Sequence, residues 1–334
     1  MASAPAPTSG AASPAPGLRL SWGVVILGLL LLAALIFPYL FRLPYHRDVV
    51  IKLYLYAMLA QAWNILAGYC GQVSLGHAVF FGTGAYSSSM LQTAWGGSPW
   101  VGLVVGVLIA VALSLAIGYP CFRLRGHYFA IATIAVGEIV HTVAINWEFI
   151  GGARGLTLPI RQDSLAAFQF ATAKYPYYYI ILSLLILCLL VSRWIERARV
   201  GYYLRAIKED ADAAQSLGVP ITRYKLIAMA VSAAFVAAAG TFYAQYVLYI
   251  DPDSVLSLNL SILICVLAVI GGVGTLWGPL VGAAVLIPLS EFTRVTFGGT
   301  GSAVDLLIYG ALLTLVAVFQ PTGVVGLVQR LRRR

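Results

Sequence analysis

Glu138 is a carboxylate in the middle of a long apolar run, with His141 three residues further on and Asn146 near the end of the same run. Ionisable groups are costly inside a bilayer, and where they occur they line substrate or ion pathways or pair with one another. Glu138 and Asn146 are therefore candidates for a translocation pathway. The alternative is a structural ion pair of Glu138 with His141, Arg123 or Arg125.

A second polar group interrupts the apolar sequence at Gly68–His77, which reads GYCGQVSLGH. Broken backbone is tolerated at membrane depth only when it is buried in protein or lines a watery cavity. Discontinuous helices in transporters present backbone dipoles to their substrates, and a zwitterion suits such a site. The alternative is a short cytoplasmic turn between two helices. The pathway candidates in this segment are Gly71, Gln72, Ser74, Gly76 and His77.

Other catalytic and cofactor chemistry has little support in the sequence. None of the four lysines follows Gly in a GxxxxGK[ST] frame, so there is no phosphate-binding loop of that type. His46-Arg47-Asp48 matches a kinase tripeptide without any nucleotide-binding context. His77 has no second ligand nearby, which favours a hydrogen-bonded structural role. We expect no catalytic residue, metal site or bound cofactor, and we expect the cysteines to be buried small hydrophobes: Cys70, Cys121, Cys188 and Cys265.

The elements that position these residues are membrane helices. Of 334 residues 60% are apolar and 10% are charged, with a mean hydropathy of +0.89, whereas soluble domains carry about 25% charge. This composition excludes a soluble globular protein and indicates an all-α polytopic membrane protein. The net charge of +9 is explained by positive-inside bias and anionic lipid, not by nucleic acid.

The distribution of charge predicts about ten transmembrane helices, within a range of 8–11. Residues 1–18 are predicted to be a disordered tail, residues 19–329 the membrane domain and residues 330–334 a basic tail. Since one span needs about 20 apolar residues, uncharged stretches are divided at Gly68–His77, at Gly96–Pro99 and within Gly271–Gly282. Both termini are expected in the cytoplasm, although Arg42, Arg47 and Lys52 then lie outside, against the positive-inside bias. The remaining predicted spans are Ser21–Phe41, Gly126–Trp147, Tyr175–Ser192, Leu226–Ile250 and Asp305–Phe319.

One polar segment separates these spans. Arg193–Lys225, here the charged loop, holds 11 of the 33 charged residues, and seven of them are basic, which places it in the cytoplasm. An apolar stripe predicts one helix over Tyr202–Leu217, ended by Gly218 and Pro220. Such a helix either lies along lipid headgroups or docks a partner protein. The stripe consists of Leu204, Ile207, Ala211, Ala214 and Leu217.

Small residues recur near the C-terminus. Gly274, Gly278 and Gly282 stand four residues apart, a spacing that lets two helix backbones approach closely. We expect these glycines to serve helix packing.

The charged loop resembles a known motif. Asp212-Ala213-Ala214-x-x-x-Gly218 is similar to the EAA-x-x-x-G loop of ABC importer permeases, with Asp in place of Glu and without the later Ile-x-Leu-Pro. Further segments resemble the M-type permease for branched-chain amino acids: GYCGQVSLGH, RLRGHYFAIATIAVGEI, GGARGLTLP, LRAIKEDADAAQSLGV and VIGGVGTLWGPLVGA. They follow the family's order from about residue 50 to 320. The resemblance implies coupling to an ATPase through Arg205, Glu209, Asp212, Ala213, Ala214 and Gly218.

The resemblance also implies a function and partners. The chain is expected to be the membrane permease subunit of an ATP-driven importer of branched-chain or related amino acids in the inner membrane. ATP and Mg would bind to two separate ATPase subunits. A second homologous permease chain and a soluble binding protein, for which the loop Glu148–Lys174 is a candidate surface, complete the assembly. The alternatives are a permease for urea or another small polar solute, a standalone secondary transporter and, least supported, a membrane enzyme.

Overall fold

The computed structural model describes residues 32–40, 43–124, 126–161, 163–170, 174–297, 307, 310 and 311. Met1–Arg42 form a separate unit, in which residues 32–40 are helical, and Leu43–Arg334 form the second unit. The predicted disordered tail, most of the two predicted spans Ser21–Phe41 and Asp305–Phe319, and the basic C-terminal tail lie outside the described residues.

The described part of the second unit is a helix bundle. Its helices are α1 (Pro44–Cys70), α2 (His77–Trp95), α3 (Pro99–Cys121), α4 (His127–Asn146), α5 (Tyr175–Arg197), α6 (Arg199–Glu209), α7 (Ala211–Ser216), α8 (Ile221–Val247), α9 (Pro252–Val255), α10 (Leu258–Gly271) and α11 (Gly278–Phe297). Short 3₁₀ turns lie at Glu148–Ile150 and Gly152–Arg154. Strands β1 (Leu156–Thr157) and β2 (Tyr249–Ile250) pair antiparallel, Leu156 with Ile250.

Proline and glycine set the helix boundaries. Proline occupies the first turn of α1, α3 and α5, where its missing N–H removes no intrahelical bond. Gly71 and Gly96 end α1 and α2 in the left-handed conformation, with φ of 73° and 64°. The predicted interruptions at Gly68–His77, at Gly96–Pro99 and within Gly271–Gly282 are therefore confirmed.

The two ends of the bundle have distinct sequences. One end, here called the island end, carries the helices of the charged loop within residues 198–220. The other, here called the far end, carries the described residues of 147–170 together with the β1–β2 pair. Helices α1, α2, α3, α4, α5 and α8 run between these ends. By length and composition, six segments of the described chain can cross a membrane, namely α1, α3, α4, α5, α8 and α9–α10 taken together. The predicted count of about ten remains a prediction.

Helices α2 and α8 cross at the centre through small residues. A Cβ on Gly84 would lie 2.0 Å from the Ala237 carbonyl oxygen, and one on Gly240 would lie 2.0 Å from the Phe81 carbonyl oxygen. Thr241 Oγ1 donates to the Gly84 carbonyl at 3.0 Å. Backbones this close gain dispersion contacts that apolar lipid cannot replace.

Helix α10 begins inside the bundle. Its 14 residues rise about 21 Å, short of the about 30 Å hydrocarbon core. The Ala78 amide, at the start of α2, donates to Ser261 Oγ at 2.9 Å, and a Cβ on Gly82 would meet Leu256. The chain therefore enters the interior from β2 before α10 starts. The uncharged stretch before the predicted division at Gly271–Gly282 is itself interrupted, between α9 and α10.

The predicted packing glycines divide between a helix and a loop. A Cβ on Gly282 would lie 1.9 Å from the Leu267 carbonyl oxygen, so Gly282 brings α11 against α10. Gly278 starts α11 against the Gly272 carbonyl. Gly274 instead lies in the connecting loop with φ of 81°, and the prediction that it packs two helices is wrong because the left-handed backbone there has already left α10.

Candidate functional site

The charged loop folds as two helices and not as the single predicted helix Tyr202–Leu217. Asp210 separates α6 from α7 with an extended backbone, φ −153° and ψ 109°. Its Oδ1 accepts hydrogen bonds from the amides of Asp212 and Ala213 at 2.9 and 3.0 Å. The prediction was wrong here because an aspartate that caps the next helix competes with continuation of the preceding one.

The apolar stripe of the charged loop faces the protein. Leu204, Ile207 and Ala214 are buried, and Ala211 is half-buried. Leu217, also predicted on the stripe, is 86% exposed, since the break at Asp210 interrupts the regular spacing of the predicted single helix. A helix lying on lipid needs its apolar face free for the membrane, so this geometry disfavours the headgroup alternative.

The exposed surface at α7 is short and combines charged and apolar side chains. Asp212 and Ala213 are exposed beside Leu217, while Gly218 ends the helix with φ of 85°, as predicted. A single exposed leucine is common on protein surfaces, so Leu217 marks a candidate contact only together with Asp212 and Ala213, which lie in the segment that resembles the EAA-x-x-x-G loop. Asp212, Ala213 and Leu217 are here called the docking tip.

A cleft of about 930 Å³ lies beside the docking tip. Arg123, Arg223 and Asp212 are among the residues that line it, so it presents both signs of charge. Arg205 and Glu209 are exposed on α6. Arg205 donates to the Glu196 carbonyl at 3.0 Å, which ties α6 to the end of α5.

The break between α1 and α2 starts at the island end and descends into the protein. Gly71 and Val73 are exposed, whereas Ser74 and Gly76 are buried. Trp63 Nε1 donates to the Ser74 carbonyl at 2.7 Å, and the Leu75 amide donates to Thr133 Oγ1 at 3.0 Å. The broken backbone thus has protein partners on α1 and α4, which is one of the two settings in which broken backbone is tolerated at membrane depth.

His77 lies at the bottom of this break and is fully buried. One ring nitrogen lies 3.2 Å from Ser74 Oγ and the other lies 3.0 Å from Ser232 Oγ on α8. Both nitrogens therefore have hydroxyl partners, which agrees with the predicted structural role. Among the described residues, no group of three His, Cys, Asp or Glu side chains is placed to hold a metal ion.

Lys208 and Asn64, which were not among the predicted site residues, connect this break to the rest of the island end. Lys208 Nζ donates to the Gly68 carbonyl at 3.0 Å. Asn64 Oδ1 accepts from the Gly274 amide at 2.7 Å, and its Nδ2 donates to the Thr275 carbonyl at 3.0 Å. An asparagine within an apolar run and a lysine in the last turn of a helix are the signals that would have identified them.

Glu138 and Asn146 lie on the outer side of the described bundle. Only 17% of the apolar window of α4 is buried, against 72% for α1. The Glu138 side chain is 63% exposed, and its Oε1 is 3.9 Å from His141 Nδ1. His141 Nε2 lies 2.9 Å from Asp253 Oδ1. Among the described residues, the ion-pair partner of Glu138 is therefore His141, and Arg125 lies outside the described residues. Asn146 donates to Thr142 of its own helix at 2.8 Å.

A polar strip therefore runs along an exposed membrane helix. It consists of Glu138 and His141 on α4 and of Asp253 from the adjoining α9. A charged side chain facing lipid at the centre of a helix costs about 2.5–3.5 kcal/mol on translocon-insertion scales. Such a strip is typical of helices that face water or another protein chain.

Comparison with protein families agrees with this arrangement of apolar helices around a structured charged loop. The family described as the permease component of the branched-chain amino acid transport system matches residues 46–317. The chain belongs to this family of permeases.

Individual relatives carry the same description. The high-affinity branched-chain amino acid transport system permease proteins LivM of Salmonella typhimurium and of Escherichia coli K12 are each 29% identical to this permease over 299 residues, covering 83% of this chain and 69% of theirs. The LivH protein of Salmonella typhimurium is 25% identical over 287 residues, covering 81% and 91%. No solved structure matches the chain.

In this permease the predicted site residues form two separate groups. Gly71, Ser74, Gly76 and His77 lie with the charged loop at the island end or descend from it, and Gln72 lines the cleft beside the docking tip. Glu138 and Asn146 lie on the opposite side of α4 from its buried Thr133 contact. Helix α4 is therefore the element that borders both groups.

Proposed function

We propose that this polytopic permease is the membrane subunit of an ATP-driven importer that carries branched-chain or related amino acids across the inner membrane. ATP and Mg bind to two separate ATPase subunits, a second permease chain completes the pathway, and a soluble binding protein delivers the solute. Both termini face the cytoplasm in this proposal. The observation that carries it is the docking tip, whose three residues are exposed at the end of α7, whereas Leu204, Ile207 and Ala214 of the apolar stripe are buried.

The docking proposal is tested by Leu217→Glu in the full complex. Because Leu217 is 86% exposed, the change leaves folding intact, and we expect it to reduce ATPase co-purification and ATP-driven leucine uptake by about tenfold or more. Leu165→Glu is the matched control, since Leu165 is 67% exposed at the far end. Its complex should retain the ATPase. Equal ATPase capture by both variants would refute docking at this tip.

The polar strip on α4 supports a pathway between this chain and the second permease. Glu138→Gln removes the negative charge while keeping the size of the side chain. We expect uptake by the reconstituted complex to fall more than the yield of assembled complex. Equal loss of uptake and assembly would assign Glu138 a structural role instead.

The substrate is tested by uptake with the full assembly. Leucine, isoleucine and valine should be accumulated when ATP is present, and urea should not. Uptake by this chain alone in liposomes, without ATPase subunits, would favour a standalone transporter and overturn the proposal.

A further inference from the structure

The last turn of α6 contacts the last turn of α1. The Gly68 carbonyl belongs to the last turn of α1, where the carbonyls of Ala67 and Leu66 already accept from Gly71 and Gln72. Lys208, in the last turn of α6, supplies a donor to Gly68. A cation at a helix C-terminus satisfies an orphan carbonyl and also interacts favourably with the helix dipole.

The Lys208 side chain also fills the space beside two left-handed glycines. A Cβ on Gly71 would lie 3.1 Å from Lys208 Cγ, and a Cβ on Gly274 would lie 3.4 Å from Lys208 Nζ. Gly274 is held in turn by Asn64 of α1. Three elements thus meet at Lys208: α6, the start of the α1–α2 break, and the loop between α10 and α11.

Both interruptions that meet at Lys208 lead into the bundle. The Gly71–Gly76 segment leads to His77, at the start of α2, and the Gly272–Trp277 loop leads into α11, which packs on α10. Regular helices transmit a displacement along their axes, whereas these interruptions are the points where the backbone can rotate. A displacement of α6 therefore reaches two places where the membrane helices are discontinuous.

We propose that Lys208 is a positioning residue that transmits movement of the charged loop to both breaks, through its bond to Gly68. This inference rests on the proposed function, in which the ATPase subunits move the charged loop. Lys208 differs from the docking tip in role: it contacts this chain and is not required for binding the ATPase.

The test compares Lys208→Met, Lys208→Arg and Arg199→Met in the complete reconstituted complex, with ATP hydrolysis and leucine uptake measured in the same liposomes. Arg199→Met is the matched control because it removes an exposed cation from the first turn of α6. We expect Lys208→Met to keep ATPase co-purification and hydrolysis, while uptake per ATP falls about tenfold, within the range of coupling between distant sites. Lys208→Arg can still donate to Gly68 and should therefore keep most of the parent's uptake per ATP. Arg199→Met should leave uptake per ATP unchanged.

A probe at Val73 gives a readout that a stabilising role would not change. Val73 is exposed in the α1–α2 break, so a thiol reagent can reach Val73→Cys. Its labelling rate should respond to ATP in the parent complex and lose this response when Lys208→Met is added. Unchanged uptake per ATP, an ATP response that survives, or lost ATPase capture would each overturn the role of Lys208. Failure of the parent complex to capture the ATPase would refute the proposed function itself.

Discussion

The two ends of the bundle are held together by different chemistry. At the far end full charges pair between residues distant in sequence. Lys52 Nζ lies 2.8 Å from Glu291 Oε1, and Lys174 Nζ lies 3.1 Å from Asp48 Oδ1, which also accepts from Tyr246. At the island end the polar groups of Lys208 and Asn64 bond backbone amides and carbonyls.

The two ends therefore differ in how much it costs to rearrange their polar contacts. Ion pairs that are partly buried resist separation because each charge loses its partner in a medium of low dielectric constant. A lysine that bonds a neutral carbonyl can exchange that carbonyl for water or for a neighbouring one at smaller cost. Of the described contacts, the Lys52–Glu291 pair therefore resists separation most, and the bond of Lys208 to Gly68 is easier to rearrange.

The largest expected effect on stability comes from removing the ion pair between Lys52 and Glu291. Glu291→Gln leaves Lys52 partly buried without its carboxylate, and we expect a loss of about 3 kcal/mol of stability, measured by thermal unfolding of the complex in detergent. The double variant Lys52→Met/Glu291→Leu should recover most of this loss, since it removes both charges. A double variant as unstable as the single one would show that packing, not charge, holds these helices.

A glycine replacement at each end separates strain from coupling. Gly71→Ala and Gly96→Ala both place a side chain at positive φ, 73° and 64°, which costs about 1–2 kcal/mol. Only Gly71 has Lys208 beside it, whereas nothing lies within 4 Å of a Cβ at Gly96. Melting temperatures should fall similarly, but uptake per ATP should fall only for Gly71→Ala. Equal uptake per ATP in the two variants would contradict a special role of the island end in coupling.

A helix cap at each end offers a milder comparison. Asp210 caps α7 at the island end, and Asp251 caps α9 at the far end by accepting from the Ser254 amide at 3.1 Å. Alanine at either position should cost about 1 kcal/mol of local stability, seen as faster amide exchange in the capped helix. Only Asp210→Ala is expected to weaken ATPase capture, and loss of capture with Asp251→Ala would contradict the assignment of the docking tip.

The smallest effect is expected at the exposed ion pair. Lys174 and Asp48 are 45% and 31% exposed, so Lys174→Met should cost less than about 1 kcal/mol and should cost less still at high salt. Thermal unfolding at two salt concentrations measures this. A loss as large as that from Glu291→Gln would mean that exposure does not rank the two pairs.

Several features of this permease could be predicted from the sequence because they are local. A backbone in hydrocarbon must satisfy its own hydrogen bonds within each helix, so apolar run length and glycine or proline breaks predict helices one segment at a time. This is why the interruptions at Gly68–His77 and Gly96–Pro99, the polarity of the charged loop and the left-handed Gly218 were found. The family resemblance depended on the same linear segments.

Only the tertiary structure decided how these segments meet. The bond from Lys208 to Gly68 joins residues 140 positions apart, and the pair of Lys52 and Glu291 spans 239 positions. The outward direction of Glu138 and the start of α10 inside the bundle likewise depend on which helices are neighbours. Hydropathy reports whether a side chain avoids water, but in a membrane it does not distinguish lipid from protein as the apolar surrounding, and that choice is made by packing.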